Sequence, residues 1–187
     1  MFRCWTSVIL ALIVTATYVT SLPGSYAIQR RASKCNGYQD LCNRKYSNVT
    51  HIGAHDSYAV GKLGSLGSNQ EANVTVQLED GIRLLQIQTH ASSGHQDSNP
   101  SGLSLCHTSC ALKNGGTLES YLQQVKQFLD KNKNEVVTLI ITNPDDKPVS
   151  NFAKAFEDTG LNSMAYRANS NSISKNDWPT LQDLSSQ

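Results

Sequence analysis

Apolar and polar residues alternate along residues 46–187 in patches that predict strands separated by helices. Four runs have the composition of strands: residues 49–54, 82–88, 103–106 and 135–142. The last run is almost continuously apolar, which is typical of a strand whose two faces are both covered. Strands that alternate with helices predict βαβ units, a parallel sheet and right-handed crossover connections.

Helices are predicted where apolar residues recur at spacings of three and four. The clearest helix covers residues 118–129, which carry a single apolar stripe. A capping-box pattern, with Ser68 followed three positions later by Glu71, predicts that an earlier helix begins at Ser68 and ends near residue 80. Two further helices are predicted at residues 149–158 and 179–184.

Residues 1–27 have the organisation of a secretory signal peptide. A basic start precedes an apolar run at residues 8–14, and a small-x-small cleavage pattern ends at Ala27. A membrane anchor is the alternative, but threonines interrupt the apolar segment, and a span needs about 20 apolar residues. We therefore predict cleavage after Ala27 and a secreted, extracellular protein. Arg30-Arg31 leaves open a second, propeptide-type processing site.

Four cysteines follow the signal segment: Cys35, Cys42, Cys106 and Cys110. An even number of cysteines in an exported chain favours disulfides over the alternative, a zinc site. We predict the local pairs Cys35–Cys42 and Cys106–Cys110, because each closes a short loop. Residues 28–45 then form an N-terminal disulfide-bearing segment ahead of the α/β region.

The composition limits the classes of partner. The chain has 39% hydrophobic and 17% charged residues, as globular domains do, and a formal charge of +1. Without a basic stripe, nucleic acid is not expected as the main partner, nor is docking on anionic lipid by charge alone. After residue 27 no apolar run is long enough to span a membrane. Sequons at Asn48 and Asn73 predict N-glycosylation, which fits export.

Two histidines stand directly after predicted strands. His55 follows the first strand and His107 follows the third. The carboxyl ends of parallel strands are where α/β folds place catalytic groups. A histidine pair suits chemistry in which one imidazole removes a proton and the other supplies one. From spacing alone, the alternative that each histidine caps a strand by bonding a backbone carbonyl stays open.

Three segments resemble those of a known family. Residues 53–57, Gly-Ala-His-Asp-Ser, resemble the G-T-H-[DN]-S signature that opens the X domain of phosphatidylinositol-specific phospholipase C. Residues 77–85 resemble the next segment, which leads into the second barrel strand. Residues 105–110, Leu-Cys-His-Thr-Ser-Cys, are similar to fungal secreted phospholipase C-like phosphodiesterases. The resemblance covers roughly residues 35–187.

The resemblance implies a parallel (β/α) TIM-type barrel that acts on phosphodiesters. A complete barrel needs about 250 residues and eight strands. Only four strands can be counted in residues 46–187, so we expect the N-terminal half of such a barrel. By motif position, His55 is the general base that deprotonates an attacking hydroxyl. His107 is the general acid for the leaving alkoxide, and Asp56 assists it.

The second predicted strand departs from the family pattern. Bacterial members end this strand with D-x-R, whose arginine stabilises the phosphate, and calcium-dependent relatives hold the ion with acidic residues nearby. Here the positions are Gln86 and Gln88, and glutamine supplies neither a guanidinium nor a carboxylate. No cofactor is therefore predicted, and the usual acidic ligands of Ca²⁺ are not evident. Gln88 and Asn143 are candidate substrate contacts, although a plain turn is the alternative for Asn143.

Other titratable residues have weaker patterns. His90, His95 and Asp97 share a polar segment and could hold a metal ion with His107, but loop histidines are usually solvated. We predict structural roles for His51 and Arg83, the latter in an ion pair at the start of its strand.

Three functions compete at this point. The first is a secreted phosphoric diester hydrolase or lyase acting on a phospholipid-type or related phosphodiester through His55 and His107. The second is a non-catalytic protein on the same scaffold, which the two glutamines favour. The third is a glycan- or surface-binding protein in which the histidines only cap strands.

Overall fold

A computed structural model of the protein describes residues 34–62, 64–92 and 99–186. The predicted signal peptide at residues 1–27 lies outside these residues. Five strands form one mixed sheet: β1 (Gly53–Ala54), β2 (Leu84–Ala91), β3 (Leu103–Cys106), β4 (Asn114–Thr117) and β5 (Thr138–Thr142). β2 is central, because β1 and β5 both pair with it in parallel.

The expectation of a wholly parallel sheet is wrong for the third strand. β3 runs antiparallel to the end of β2, and β4 extends the sheet by pairing antiparallel with β3. A parallel return to β2 needs a crossover of a dozen or more residues, usually a helix. Residues 92–102 are too short and too polar for one. β4 was not predicted, because its Gly115-Gly116 pair has low strand propensity and only pairing with β3 makes it a strand.

Within the described residues, four α-helices accompany the sheet: α1 (Val74–Glu79), α2 (Leu118–Lys131), α3 (Val149–Thr159) and α4 (Leu181–Ser185). The predicted start of the first helix at Ser68 is wrong. Its N-cap is Asn73, whose side chain accepts the N–H of Val76 at 3.0 Å, whereas the Ser68 N–H donates to Ser65 in a turn. Asparagine is as good an N-cap as serine, so the sequence offered two N-cap residues, and the helix begins after Asn73 rather than after Ser68.

The core lies between α2 and one face of the central strand. Leu85 and Ile87 of β2 are fully buried and share one apolar cluster with Leu122 and Val125 of α2. Because side chains alternate across a strand, Gln86 and Gln88 lie on the opposite face. Burial of the apolar face thus leaves the polar positions of β2 facing the inside of the curled sheet.

The residues predicted to be structural have structural contacts. Arg83 lies at the start of β2, where its Nε donates to Glu135 at 2.7 Å and its guanidinium lies over the Phe128 ring. His51 packs against the Tyr46 ring, with 4.6 Å between the ring centroids. Both lie at the amino-terminal end of the parallel strands, away from the site described below.

Candidate active site

The carboxyl ends of β1, β2 and β5 meet at one edge of the sheet and border a cleft of about 550 Å³. Six of its lining residues were singled out in the sequence: His55, Asp56, Gln86, Gln88, His107 and Asn143. His55 and Asp56 follow β1, His107 follows β3, and Asn143 follows β5. The antiparallel direction of β3 does not remove His107 from the cleft, because Leu105 pairs with Thr89 of β2 and the loop after β3 contacts Gln88.

Asp56 connects the two histidines. Its side chain is almost fully buried, and its Oδ2 lies 3.2 Å from His55 Nε2 and 3.4 Å from His107 Nε2. Asn69 Nδ2 donates to the same oxygen at 3.0 Å. A carboxylate in this position can orient both imidazole rings. The sequence predicted help from Asp56 to His107, whereas the contact with His55 emerges from the structure.

The two histidines differ in exposure. The His55 side chain is 72% exposed, whereas that of His107 is 28% exposed. An exposed imidazole can reach a hydroxyl on an incoming ligand, and a more enclosed one is better placed to deliver a proton inside the cleft. The two rings thus differ in how open each is to solvent, and their assignment as base and acid stays a prediction.

Both histidine-bearing loops have an unusual backbone at the residue after the histidine. Asp56 has φ +41° and Thr108 has φ +64°, both in the left-handed region. Threonine is β-branched, so this conformation is strained there and needs support from the surrounding structure. The support comes from β2: Gln86 Oε1 accepts the Asp56 N–H at 2.8 Å, and Gln88 Oε1 accepts the Thr108 N–H at 3.1 Å.

Buried polar groups support the loop after β1. The Ser57 hydroxyl hydrogen-bonds the Tyr121 hydroxyl, and the Ser57 carbonyl accepts from Gln77 Nε2 at 2.9 Å. Burial raises the pKa of the Tyr121 hydroxyl far above its ordinary value. Burial, and then the adjacent Asp56 carboxylate, raise the pKa of Tyr58 in the same direction. Both phenols therefore stay neutral at any physiological pH.

Sequence reasoning assigned no role to two residues of this support, Asn69 and Gln77. Each acts on Asp56 or on the adjoining Ser57, yet Asn69 lies 13 positions from Asp56 along the chain. Nothing in the local pattern distinguishes such residues from other polar residues in loops and helices. Only their meeting in the folded chain identifies them.

Both predicted disulfides are present. Cys35–Cys42 lies in a small apolar cluster with Leu181 of α4, and Cys106–Cys110 closes the loop that carries His107. The His107 N–H also donates to the Lys113 carbonyl at 3.1 Å, which anchors the start of this loop.

Removing the second disulfide should loosen the His107 loop specifically. For Cys106→Ala/Cys110→Ala we expect a loss of about 2 kcal/mol in the free energy of unfolding, from the loop-closure entropy of so short a ring. Amide hydrogen exchange at residues 106–110 should accelerate beyond that global change. The matched control is Cys35→Ala/Cys42→Ala, which should lower stability similarly and leave exchange at residues 106–110 in step with global unfolding. Equal exchange behaviour in both variants would contradict a local role.

His90 contacts Asp145 rather than His107, with which it was considered as a metal ligand. Its Nδ1 lies 3.0 Å from Asp145 Oδ1, and Asp145 Oδ2 accepts the Ala91 N–H at 2.8 Å. The Ala91 hydrogen bond, followed by the one from His90, holds the pKa of Asp145 below its usual range. His95 and Asp97 lie outside the described residues.

The described part of the chain holds no group of three or more His, Cys, Asp or Glu side chains that could bind a metal ion. Asp56 is the one carboxylate among the described residues that line the cleft, and Asn69 and two histidines already contact it. This donor set does not match the several carboxylate and carbonyl oxygens that Ca²⁺ requires.

Asn143 forms the predicted turn, since its side chain bonds both the N–H and the carbonyl of Lys147, and it also lines the cleft.

The scaffold is a mixed α/β sheet that forms part of a barrel, with two histidines at the carboxyl edge of its parallel strands, and the comparison with known families identifies its class. The model of the PI-PLC X domain matches residues 41–187. The chain belongs to the PI-PLC X domain family.

Two relatives come from the fungus Arthroderma benhamiae. One, named PI-PLC X domain-containing protein 1, is 42% identical over 176 residues, which cover 93% of this chain and 53% of the relative. The other, named an uncharacterized secreted protein, is 45% identical over 150 residues, which cover 80% of this chain and 32% of the relative. The chain thus spans about a third to a half of the length of these relatives.

Solved structures share the fold. Phosphatidylinositol-specific phospholipase C from Listeria monocytogenes superposes with a TM-score of 0.54 at 20% identity, over 76% of this chain and 50% of the enzyme. The F249X mutant of the Staphylococcus aureus enzyme gives a TM-score of 0.54 at 17% identity, over 76% of this chain and 46% of that one. The curled sheet and its helices therefore correspond to part of an α/β barrel. Within the described residues, no helix is both long and apolar enough to cross a membrane.

Proposed function

We propose that this protein cleaves phosphodiester bonds by general acid–base catalysis with His55 and His107. The observation that supports this most is the single buried carboxylate of Asp56, which contacts both imidazoles at one edge of a cleft. A pair of strand-capping histidines would have no need of a shared carboxylate. Membership of the PI-PLC X domain family supports a phospholipid-type or related phosphodiester as the substrate class.

The proposed reaction uses each side chain once. His55 removes the proton of the attacking hydroxyl, whose oxygen forms the new bond to phosphorus. The bond from phosphorus to the leaving oxygen breaks, and His107 supplies the proton that this oxygen takes up. Asp56 orients both rings and stabilises whichever imidazolium is present. Phosphoryl transfer needs little covalent work from the protein beyond such positioning and charge stabilisation.

The cleft holds uncharged donors for the phosphate oxygens. Gln88 and Asn143 line it, and their amide N–H groups are the candidate substrate contacts. A preorganised donor of this kind is worth about 10²–10³ in rate when it is lost from an oxyanion site. An uncharged amide stabilises a phosphate less than a guanidinium does, so we expect slower turnover than in family members that have the arginine.

We also propose that the chain is exported. The predicted signal peptide, two disulfides and the secreted relative support this compartment. The two sequon asparagines, Asn48 and Asn73, are both exposed, as glycosylation requires.

A non-catalytic role on the same scaffold is the second candidate. The observation that favours it is the pair of glutamines on β2, where the family pattern has charged side chains. A protein of this kind would bind a phosphorylated headgroup in the cleft without cleaving it.

Cleavage assays separate the two candidates. The oxidised protein would be incubated with phosphatidylinositol vesicles and with a soluble chromogenic phosphodiester, each with and without EDTA. We expect release of the phosphorylated headgroup and of the chromophore, with no loss in EDTA. The variant His55→Ala/His107→Ala is the control for contaminating activity. Binding to the vesicles without cleavage of either compound would favour the non-catalytic role.

A further inference from the structure

Gln86 and Gln88 make the same contact with the two different histidine loops. Gln86 Oε1 accepts the N–H of the residue after His55, at 2.8 Å. Gln88 Oε1 accepts the N–H of the residue after His107, at 3.1 Å. The glutamines stand two positions apart on β2, so both side chains lie on the face that borders the cleft.

Both hydrogen bonds are donated by residues whose backbone is strained. The accepting oxygens face the N–H groups of Asp56 (φ +41°) and Thr108 (φ +64°), neither of which is glycine. Left-handed backbone at such residues persists only where the surrounding structure compensates for its cost. Gln86 accepts two hydrogen bonds from the loop after β1, because its main-chain carbonyl also accepts the Ser57 N–H at 3.0 Å.

The strand that carries the glutamines sets the distance between the histidines. The loops follow different strands, β1 and β3, and each strand pairs with β2. The contact between Asp56 Oδ2 and His107 Nε2, at 3.4 Å, joins one loop to the other. A shift of either loop by about 1 Å would break this contact, and misplacement on that scale is costly for catalysis.

We propose that Gln86 and Gln88 are paired positioning residues, which hold the two histidine loops in register by accepting the N–H of the residue that follows each histidine. This inference rests on the proposed function for its catalytic consequence, but not for the hydrogen bonds themselves. It gives a reason for glutamine at these positions. An arginine has no acceptor atom, and a carboxylate would add negative charge beside Asp56 and the phosphate.

The amide hydrogens offer a test that does not depend on activity. In Gln88→Met, which keeps the length of the side chain and removes the acceptor, exchange of the Thr108 N–H should accelerate by about tenfold or more, as expected for loss of one hydrogen bond. In Gln88→Glu, which keeps an acceptor oxygen, Thr108 should stay protected. Gln86→Met should expose the Asp56 N–H in the same way. Gln127→Met, at an exposed site on α2, is the matched control and should change neither signal.

Kinetics then test the consequence. Gln86→Met removes no candidate substrate contact, so it should lower kcat by about tenfold with little change in KM. Gln88→Met disturbs its loop and also removes a candidate phosphate contact, so its kcat should fall further. Gln88→Glu keeps the acceptor but removes the amide N–H donor and adds negative charge, so KM should rise and kcat should fall while Thr108 stays protected. Gln88→Arg separates the effect of positioning from that of charge, because it adds the cation of the family pattern and removes the acceptor. We expect the Thr108 N–H to lose its protection from exchange and kcat to fall.

The outcomes distinguish the two proposals. Unchanged Thr108 exchange in a folded Gln88→Met, or a higher kcat in Gln88→Arg with Thr108 still protected, would overturn the positioning role. If the unsubstituted protein cleaves no phosphodiester, the proposed function fails, and the exchange measurements still decide whether the glutamines hold the loops. Thermal unfolding of each variant shows that the folded protein is being compared.

Discussion

Replacing His55 or His107 with alanine is expected to lower phosphodiester turnover by about 100-fold or more. Each imidazole carries one of the two proton transfers in the proposed reaction, and general acid–base catalysis contributes about 10²–10⁴-fold. Because the two transfers occur in the same reaction, the double variant should be little slower than the slower single variant. The measurement is kcat for a soluble phosphodiester, with thermal unfolding to confirm the fold.

His51→Ala is the control for these variants. It removes an imidazole that packs on Tyr46 at the opposite end of the parallel strands, so it should leave turnover nearly unchanged in the folded protein. Equal losses for all three histidine variants would point to damaged folding and would contradict the assigned roles.

Asp56→Asn should reduce turnover by about 10²-fold or more, as losing either histidine does. One oxygen of Asp56 contacts both imidazoles and accepts from Asn69, so a neutral amide weakens the orientation and charge stabilisation of two rings at once. The substitution conserves size, which limits its effect on the fold. The measurement compares kcat with KM, and kcat should carry the loss, because Asp56 acts through the histidines.

Asp145→Asn provides the matched control. Asp145 makes a comparable contact with His90, at 3.0 Å, but lies outside the lining of the cleft. Its substitution should leave turnover close to that of the unsubstituted protein. A similar loss in both aspartate variants would show that the bridge between the two cleft histidines has no special role.

The sequence predicted correctly several features that depend on neighbours along the chain, although not the start of α1. α2 follows its apolar stripe, the left-handed Gly160 ends α3 close to the predicted position, and both disulfides join cysteines only a few residues apart. The antiparallel direction of β3 was missed, because the residue pattern of a strand does not show whether it runs parallel or antiparallel to its neighbour. A helix between two strands would indicate a parallel pair, but none lies among the described residues between β2 and β3. The family motif drew attention to His55, Asp56 and His107, and the structure brings all three to one cleft.

The arrangement of the site depended on contacts across the sheet. The contact from Asp56 to His107 joins residues 51 positions apart, and the glutamine contacts span 30 and 20 positions. Such distances are set by strand pairing, by the twist of the sheet and by loops with left-handed residues. By itself the sequence determined which side chains stand at strand ends and which faces are apolar, because these follow from local periodicity. Only the tertiary structure decided that Gln86 and Gln88 accept from the histidine loops, because a hydrogen bond requires two distant segments to meet within about 3 Å.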